Sequence, residues 1–236
     1  MRKATSDWKN ELEHWLKPFL ERLSHKTRQR MCPLYVAGLI GPGERKSVQP
    51  MAERLAVASY DQLHHFIADG VWDATALEAE LFVQADRLVG GKDAVLVIDD
   101  TAMPKKGKGS VGVAAQYASA LGKTANCQTL ISLTLARREV PVMIALRLFL
   151  PESWTSDAAR LKRAGVPVGY RTPRSKPEIA LTEIDRAIAA GVASVVCWRM
   201  LDTASARRFD RGSRHAGWPG PLASLATRRC TRSTLS

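Results

Sequence analysis

At 236 residues the chain can form one large domain or two modest ones with a real core. Its formal net charge of +12, from 35 Lys and Arg against 23 Asp and Glu, favours a polyanionic partner. No apolar run approaches the roughly 18 residues of a membrane span and no basic-then-apolar leader opens the chain, which argues against a membrane or exported protein.

In chain order, Trp8, Leu12, Trp15, Leu16, Phe19 and Leu23 recur at helical spacing and predict an amphipathic helix, with Pro18 as a point of kinking. The tryptophans Trp8, Trp15 and Trp72 are expected to pack a core. Leu34 to Ile40 is a short apolar piece ended by Gly41-Pro-Gly43. Helices are expected over 49–57, 60–67 and 75–88, so residues 1–90 form a helical region and a candidate DNA-binding one. His64-His65 has no Cys or acid at ligand spacing and reads as a helix-surface pair. Arg45-Lys46 reads equally as a solvated turn or a phosphate contact. Cys32, Cys127, Cys197 and Cys230 lie far apart with no C-x-x-C pair, which predicts free thiols in a reducing compartment.

After Gly90-Gly91 the pattern turns to β, with strands expected at 94–99, 127–136 and 141–149, the last two joined as a hairpin through Arg137-Arg-Glu139. The first ends in Asp99-Asp100. An Asp at a strand end commonly caps the following turn. Here the next segment, Met103-Pro-Lys-Lys-Gly-Lys-Gly-Ser-Val-Gly112, reads as a flexible basic loop, and carboxylate beside lysine suits phosphodiester chemistry. Residues 151–173 read as a loop or insertion. Ser175-Lys-Pro-Glu178 then carries the signature of a capping box, opening a helix to Gly191 that buries Ile179, Ile184, Ala187 and Ile188. Another strand begins at 192–196.

The set Ile98-Asp-Asp-Thr101, Pro104-Lys-Lys-Gly107, Ser110-Val-Gly112, Gln116-Tyr117, Gly122, Asn126-Cys-Gln128, Ser132-Leu-Thr-Leu135, Arg147-Leu-Phe-Leu-Pro-Glu-Ser-Trp154, Arg163-Ala-Gly-Val-Pro167 and Lys176-Pro177 resembles the DDE-type transposases of bacterial insertion sequences. The resemblance covers roughly residues 30–196. It implies an α+β fold: the helical N-terminal region, then over 91–196 the first half of an RNase H-like mixed sheet, with three antiparallel strands, a helix and the start of a further strand. It makes Asp100 the first catalytic and metal-holding acid; Lys105, Lys106 and Lys108, which leave the strand that bears it, are the candidate nucleic-acid contacts. It also implies Mg²⁺, DNA ends as partner, an oligomer with full-length transposase, and a bacterial cytoplasmic location.

Residues 197–236 hold eight Arg and no Lys against two Asp, half of the net charge, and lose apolar periodicity. The plain reading is a disordered Arg-rich tail that binds DNA. A sharper one comes from the genetic code. Read one nucleotide upstream, and with G or T at the free third positions, the codons of Cys197-Trp-Arg-Met-Leu-Asp-Thr-Ala204 spell Leu-Ala-Asp-Ala-Gly-Tyr-Gly, the segment in which such transposases carry their second catalytic Asp. Gly217-Trp-Pro-Gly-Pro221 becomes Leu-Ala-Trp-Ala in the same frame. The tail is therefore expected to be out-of-frame translation, and the chain an incomplete, inactive fragment lacking the second and third acids.

Three function classes follow: an inactive transposase fragment, a non-catalytic DNA-binding protein or inhibitor derived from one, and a nuclease using Asp99 and Asp100 together. The last is weakest, because neighbours on a strand point to opposite faces. Sequencing the gene past the stop codon should reveal the third acid downstream in the displaced frame; its absence there would sink the frameshift reading.

Overall fold

The computed structural model describes residues 4–55, 59–68 and 74–198. The expected tail, 197–236, lies outside them from residue 199, as does Trp72. The chain divides into two compact units, residues 1–81 and 82–236.

The first unit is helical. Its elements are α1 (Ala4–Glu21), α2 (Lys26–Ile40), α3 (Val48–Leu55), α4 (Tyr60–Ala68) and the opening of α5 (Thr75–Val89). Leu34 to Ile40 is thus the second half of a helix that starts at Lys26, with His25 Nδ1 accepting from the Thr27 N–H as its cap. Met31, Met51, Ala52 and Leu63 form the core where α2, α3 and α4 meet. Burial of Cys32 here pushes its thiol pKa up. Trp15 does not join a core: it is 45% exposed and meets the Phe19 ring in a tilted contact at 5.2 Å, while Leu16 turns inward. Arg22 reaches the mostly buried Glu80 carboxylate at 3.2 Å.

The second unit is α+β, as the resemblance implies. Its strands are β1 (Val95–Pro104), β2 (Ala114–Ala118), β3 (Lys123–Arg137), β4 (Val140–Phe149) and β5 (Val195–Trp198). They form one sheet in the order β2-β3-β1-β5, with β4 also on β3. β1 is antiparallel to β3 and parallel to β5; β2 and β4 share the other edge of β3. Three β-branched residues among Val95-Leu-Val-Ile98 favour the extended state, and Leu96 and Ile98 turn to the buried face. There they meet Ile131, Leu133 and Leu135 of β3, Phe82 and Ala85 from α5, and Ile179, Ile184 and Ala187 from α8 (Lys176–Ala189). Each of the Leu, Ile and Phe side chains contributes about 1.5–3 kcal/mol by leaving water. Ile188, expected inside, is 43% exposed, because the buried stripe of α8 runs through residues 180, 184 and 187.

Three expectations are corrected. The first strand does not stop at Asp99; its ladder with β3 continues from Asp100↔Ile131 to Pro104↔Cys127, so Asp100 lies mid-strand. A strand not expected, β2, holds Gln116 and Tyr117. The presumed loop at 151–173 contains α6 (Glu152–Thr155), α7 (Ala158–Arg163) and a short 3₁₀ turn at Val168–Tyr170, built around buried Trp154, Leu161 and Val166.

The hairpin between β3 and β4 places Arg138 at φ 55, a left-handed backbone that an L side chain tolerates poorly. The N-terminus of α8 is a full capping box: the Ser175 hydroxyl accepts from the Glu178 N–H, and the Glu178 carboxylate accepts from the Ser175 N–H at 2.6 Å. The backbone N–H and then the hydroxyl of Ser175 hold Glu178 below its ordinary 4.5, with Arg174 helping less. A lowered carboxylate stabilises above that ordinary value, and the effect is lost as pH falls through the lowered one.

Ser175→Ala should therefore cost about 1 kcal/mol in urea unfolding at neutral pH, with the deficit narrowing as pH falls below 4.5. A deficit independent of pH would show that Glu178 and Ser175 are not coupled. Arg138→Gly should raise stability by about 0.5–1 kcal/mol by relieving the left-handed backbone; loss of stability would mean that the Arg138 side chain contributes more than the strain costs.

Candidate functional site

Alternation along β1 fixes the two aspartates on opposite faces. Asp100 shares the face of Leu96 and Ile98, over which α8 packs; Asp99 lies on the other with Val95 and Val97. Asp99 Oδ1 accepts the Asp100 N–H at 2.9 Å, and its carbonyl accepts from the Ser132 hydroxyl. The two carboxylates therefore do not converge on one ion, which removes the structural basis for a nuclease using both.

Asp100 has a partner that sequence reasoning missed. The first residue of α8, Lys176, brings its Nζ to Asp100 Oδ2 at 2.5 Å, with both side chains largely buried. The same ammonium lies 5.7 Å from the centre of the Phe149 ring. Across the sheet, Asp100, Ile131 and Arg147 are register partners in one row. Arg147 is turned to α8, where the buried Glu183 accepts from Arg147 Nε at 2.8 Å and Arg186 Nη1 at 2.7 Å. The described pairing of β1 with β5 ends at Ile98↔Trp198, so Asp100 stands two residues beyond it. The sequence signal for Lys176 is the Lys176-Pro177 motif, which by itself assigns the lysine no partner.

The lysines do not sit beside Asp100. Lys105 follows it by five residues of extended chain, about 16 Å at ~3.3 Å per residue. The segment is also no flexible loop, because side-chain amides hold its backbone. Asn126 Nδ2 donates to the carbonyls of Lys105 (2.7 Å) and Gly107 (2.9 Å), Gln128 Nε2 to Val111 (2.6 Å), and Gln116 Nε2 to Gly112 (3.3 Å). Gln116 is itself held, donating to the Cys127 carbonyl and accepting from Thr129 Oγ1. The Trp154 indole N–H donates to Val113 O at 2.8 Å. Gly112 has φ 78 and lies so close to β4 that a Cβ would meet the Phe149 carbonyl at 3.0 Å, so only glycine fits there. Lys106 and Lys108 are exposed on this fixed frame and Lys105 is half-buried.

Elsewhere the plain readings hold. His64 and His65 are exposed on α4, where Tyr60 stacks on His64 at 5.5 Å. Lys46 is turned to the Gly41 carbonyl, which makes it a brace of its own turn. A hard divalent cation needs several oxygen ligands. Among the described residues no three His, Cys, Asp or Glu side chains come together to hold one, and Asp100 brings a single carboxylate already engaged by Lys176. The described residues thus do not by themselves make a Mg²⁺ site. Among them, no helix is long and apolar enough to cross a membrane.

These features coincide with what is found among known proteins. The profile of the DDE superfamily endonucleases, enzymes that generally use a divalent metal, matches residues 18–204. A probable transposase for insertion sequence element IS701 from Microchaete diplosiphon is 34% identical over 92 residues, which is 38% of this chain. The matched stretch spans 23% of that relative's length. No solved structure matches the chain. With most of its length matched by one family, and with the helices and mixed sheet that the resemblance implies, the chain belongs to the DDE superfamily endonucleases.

Proposed function

We propose that the chain is an insertion-sequence transposase chain that binds DNA and does not, on its own, cut it. The observation that supports this best is Asp100: a carboxylate on an internal strand, facing the start of α8, with no companion acid among the described residues. Asp100 is the first catalytic acid in this reading, and Mg²⁺ is the ion of the complete enzyme. The family match runs through Asp202, but the sequence around it, Met200-Leu-Asp-Thr-Ala204, does not carry the Gly-Tyr-Gly expected after a second acid. Residues 197–236 are, in the same reading, out-of-frame sequence that adds charge but no catalytic group.

The chemistry open to this chain is electrostatic. Lys106 and Lys108 present ammonium groups on a frame held by Asn126, Gln128 and Gln116, suited to phosphate contact without base readout. Lys105 belongs to the same surface. Lys176, at the start of α8, forms an ion pair with Asp100. The partner is DNA, at the element's ends in the full transposase, with which this chain assembles in the bacterial cytoplasm. The second reading, a DNA-binding inhibitor derived from a transposase, is favoured by the same rigid lysine frame and differs only in biological role.

The purified chain should bind duplex DNA with little sequence preference and with affinity that falls steeply as salt rises. Deleting residues 197–236, which hold half the net charge, should weaken binding and flatten the salt slope. Neither form should nick DNA with Mg²⁺ or Mn²⁺, and Asp100→Ala should leave binding unchanged. In a frame-corrected full-length protein the same substitution should abolish cleavage at the element's ends. Nicking by the present chain that Asp100→Ala stops would overturn the inactive-chain reading.

A further inference from the structure

The lysine frame does not end at residue 113. Buried Trp154 donates to the Val113 carbonyl, and the Arg160 guanidinium lies 3.6 Å from the centre of its indole ring. From that stacked position Arg160 Nη2 donates to the Lys108 carbonyl at 3.1 Å. Val111 packs against the cluster of Trp154 and Leu161, so α7 and the lysine segment are one packed piece. Leu161 turns into that cluster, while Arg163, one helical turn on from Arg160, shares its flank and is exposed. Asp157, the acid nearest in sequence, has its carboxylate on the Arg160 N–H. Among the described residues no carboxylate pairs with Lys106, Lys108, Arg160 or Arg163.

Resting on the reading of the lysines as DNA contacts, we propose that α7 extends them into one continuous phosphate-binding surface, Lys106, Lys108, Arg160 and Arg163. Its ligand is the sugar-phosphate backbone of DNA. Trp154 is its positioning residue, acting through Arg160 and the Val113 carbonyl. A lysine ammonium is a strongly hydrated charge on a mobile stem, so phosphate binding gains when the backbone beneath it is fixed beforehand. Arg160 does this with its planar fork: one face stacks and one edge holds the loop, which a lysine of equal charge does not reproduce.

The test is the salt dependence of binding by the full chain to a random-sequence duplex, read beside amide hydrogen exchange over residues 106–113. Arg163→Gln should weaken binding for all sequences and reduce the log–log salt slope by about one. Lys106→Gln with Lys108→Gln should reduce it by about two. Arg160→Lys, which keeps the charge, and Trp154→Phe, which loses only the indole donor and some ring area, should both weaken binding and speed exchange in the loop. If the double lysine variant loses affinity while the Arg163, Arg160 and Trp154 variants bind as the parent does, the surface stops at the lysines and the inference is wrong. If the double lysine variant also binds unchanged, the reading of the lysines themselves falls.

Discussion

Both backbone edges of β1 are occupied, by β3 along its whole length and by β5 along its first four residues. A strand held on two sides cannot rotate or slip by one residue without exchanging its faces. That constraint sets the burial of Leu96 and Ile98, the direction of Asp100 and the opposite direction of Asp99. It also fixes where α8 must begin, because Lys176 meets Asp100 only if the helix starts above the row Asp100, Ile131 and Arg147. The capping box supplies that start.

Much of this was legible in the sequence where the periodic signal was strong. The capping box at Ser175 and Glu178, helices α1, α3, α4 and α5 and the hairpin of β3 and β4 follow from local chemistry, whereas α2 was legible only as the apolar piece Leu34 to Ile40. The end of β1 was not legible, because Asp99-Asp100 lowers strand propensity and the partner ladder on β3 keeps that stretch extended. The rigid lysine segment was missed for a related reason. Gly107, Gly109 and Gly112 signal freedom, whereas the restraint comes from Asn126, Gln128, Gln116 and Trp154, which lie elsewhere in sequence. Exposed Trp15 and Ile188 show the converse, apolar residues at the margin of a helical stripe that the packing does not reach.

The site therefore has two parts with different physics. Asp100 is an internal, paired acid whose position is set by a sheet, and sheets are poor at adjusting to a ligand. The lysine segment projects charge from a frame of neutral amides that hold carbonyls, and among the described residues no carboxylate pairs with its ammonium groups. Among the described residues no hydrogen bond links Asp100 to the amide frame, so the two parts are set by separate contacts.

The pairing of β1 with β5 joins Val95 to Val195. At a synthesis rate of about 5–20 residues per second, β1 leaves the ribosome roughly 5–20 s before the strand that covers its second edge. During that interval Val95-Leu-Val-Ile98 offers an apolar ribbon edge to any other nascent strand. Two negative charges placed directly after it, Asp99 and Asp100, repel a second copy laid in register. The charge pair that ends the apolar run thus opposes in-register association of two copies while the sheet is half built.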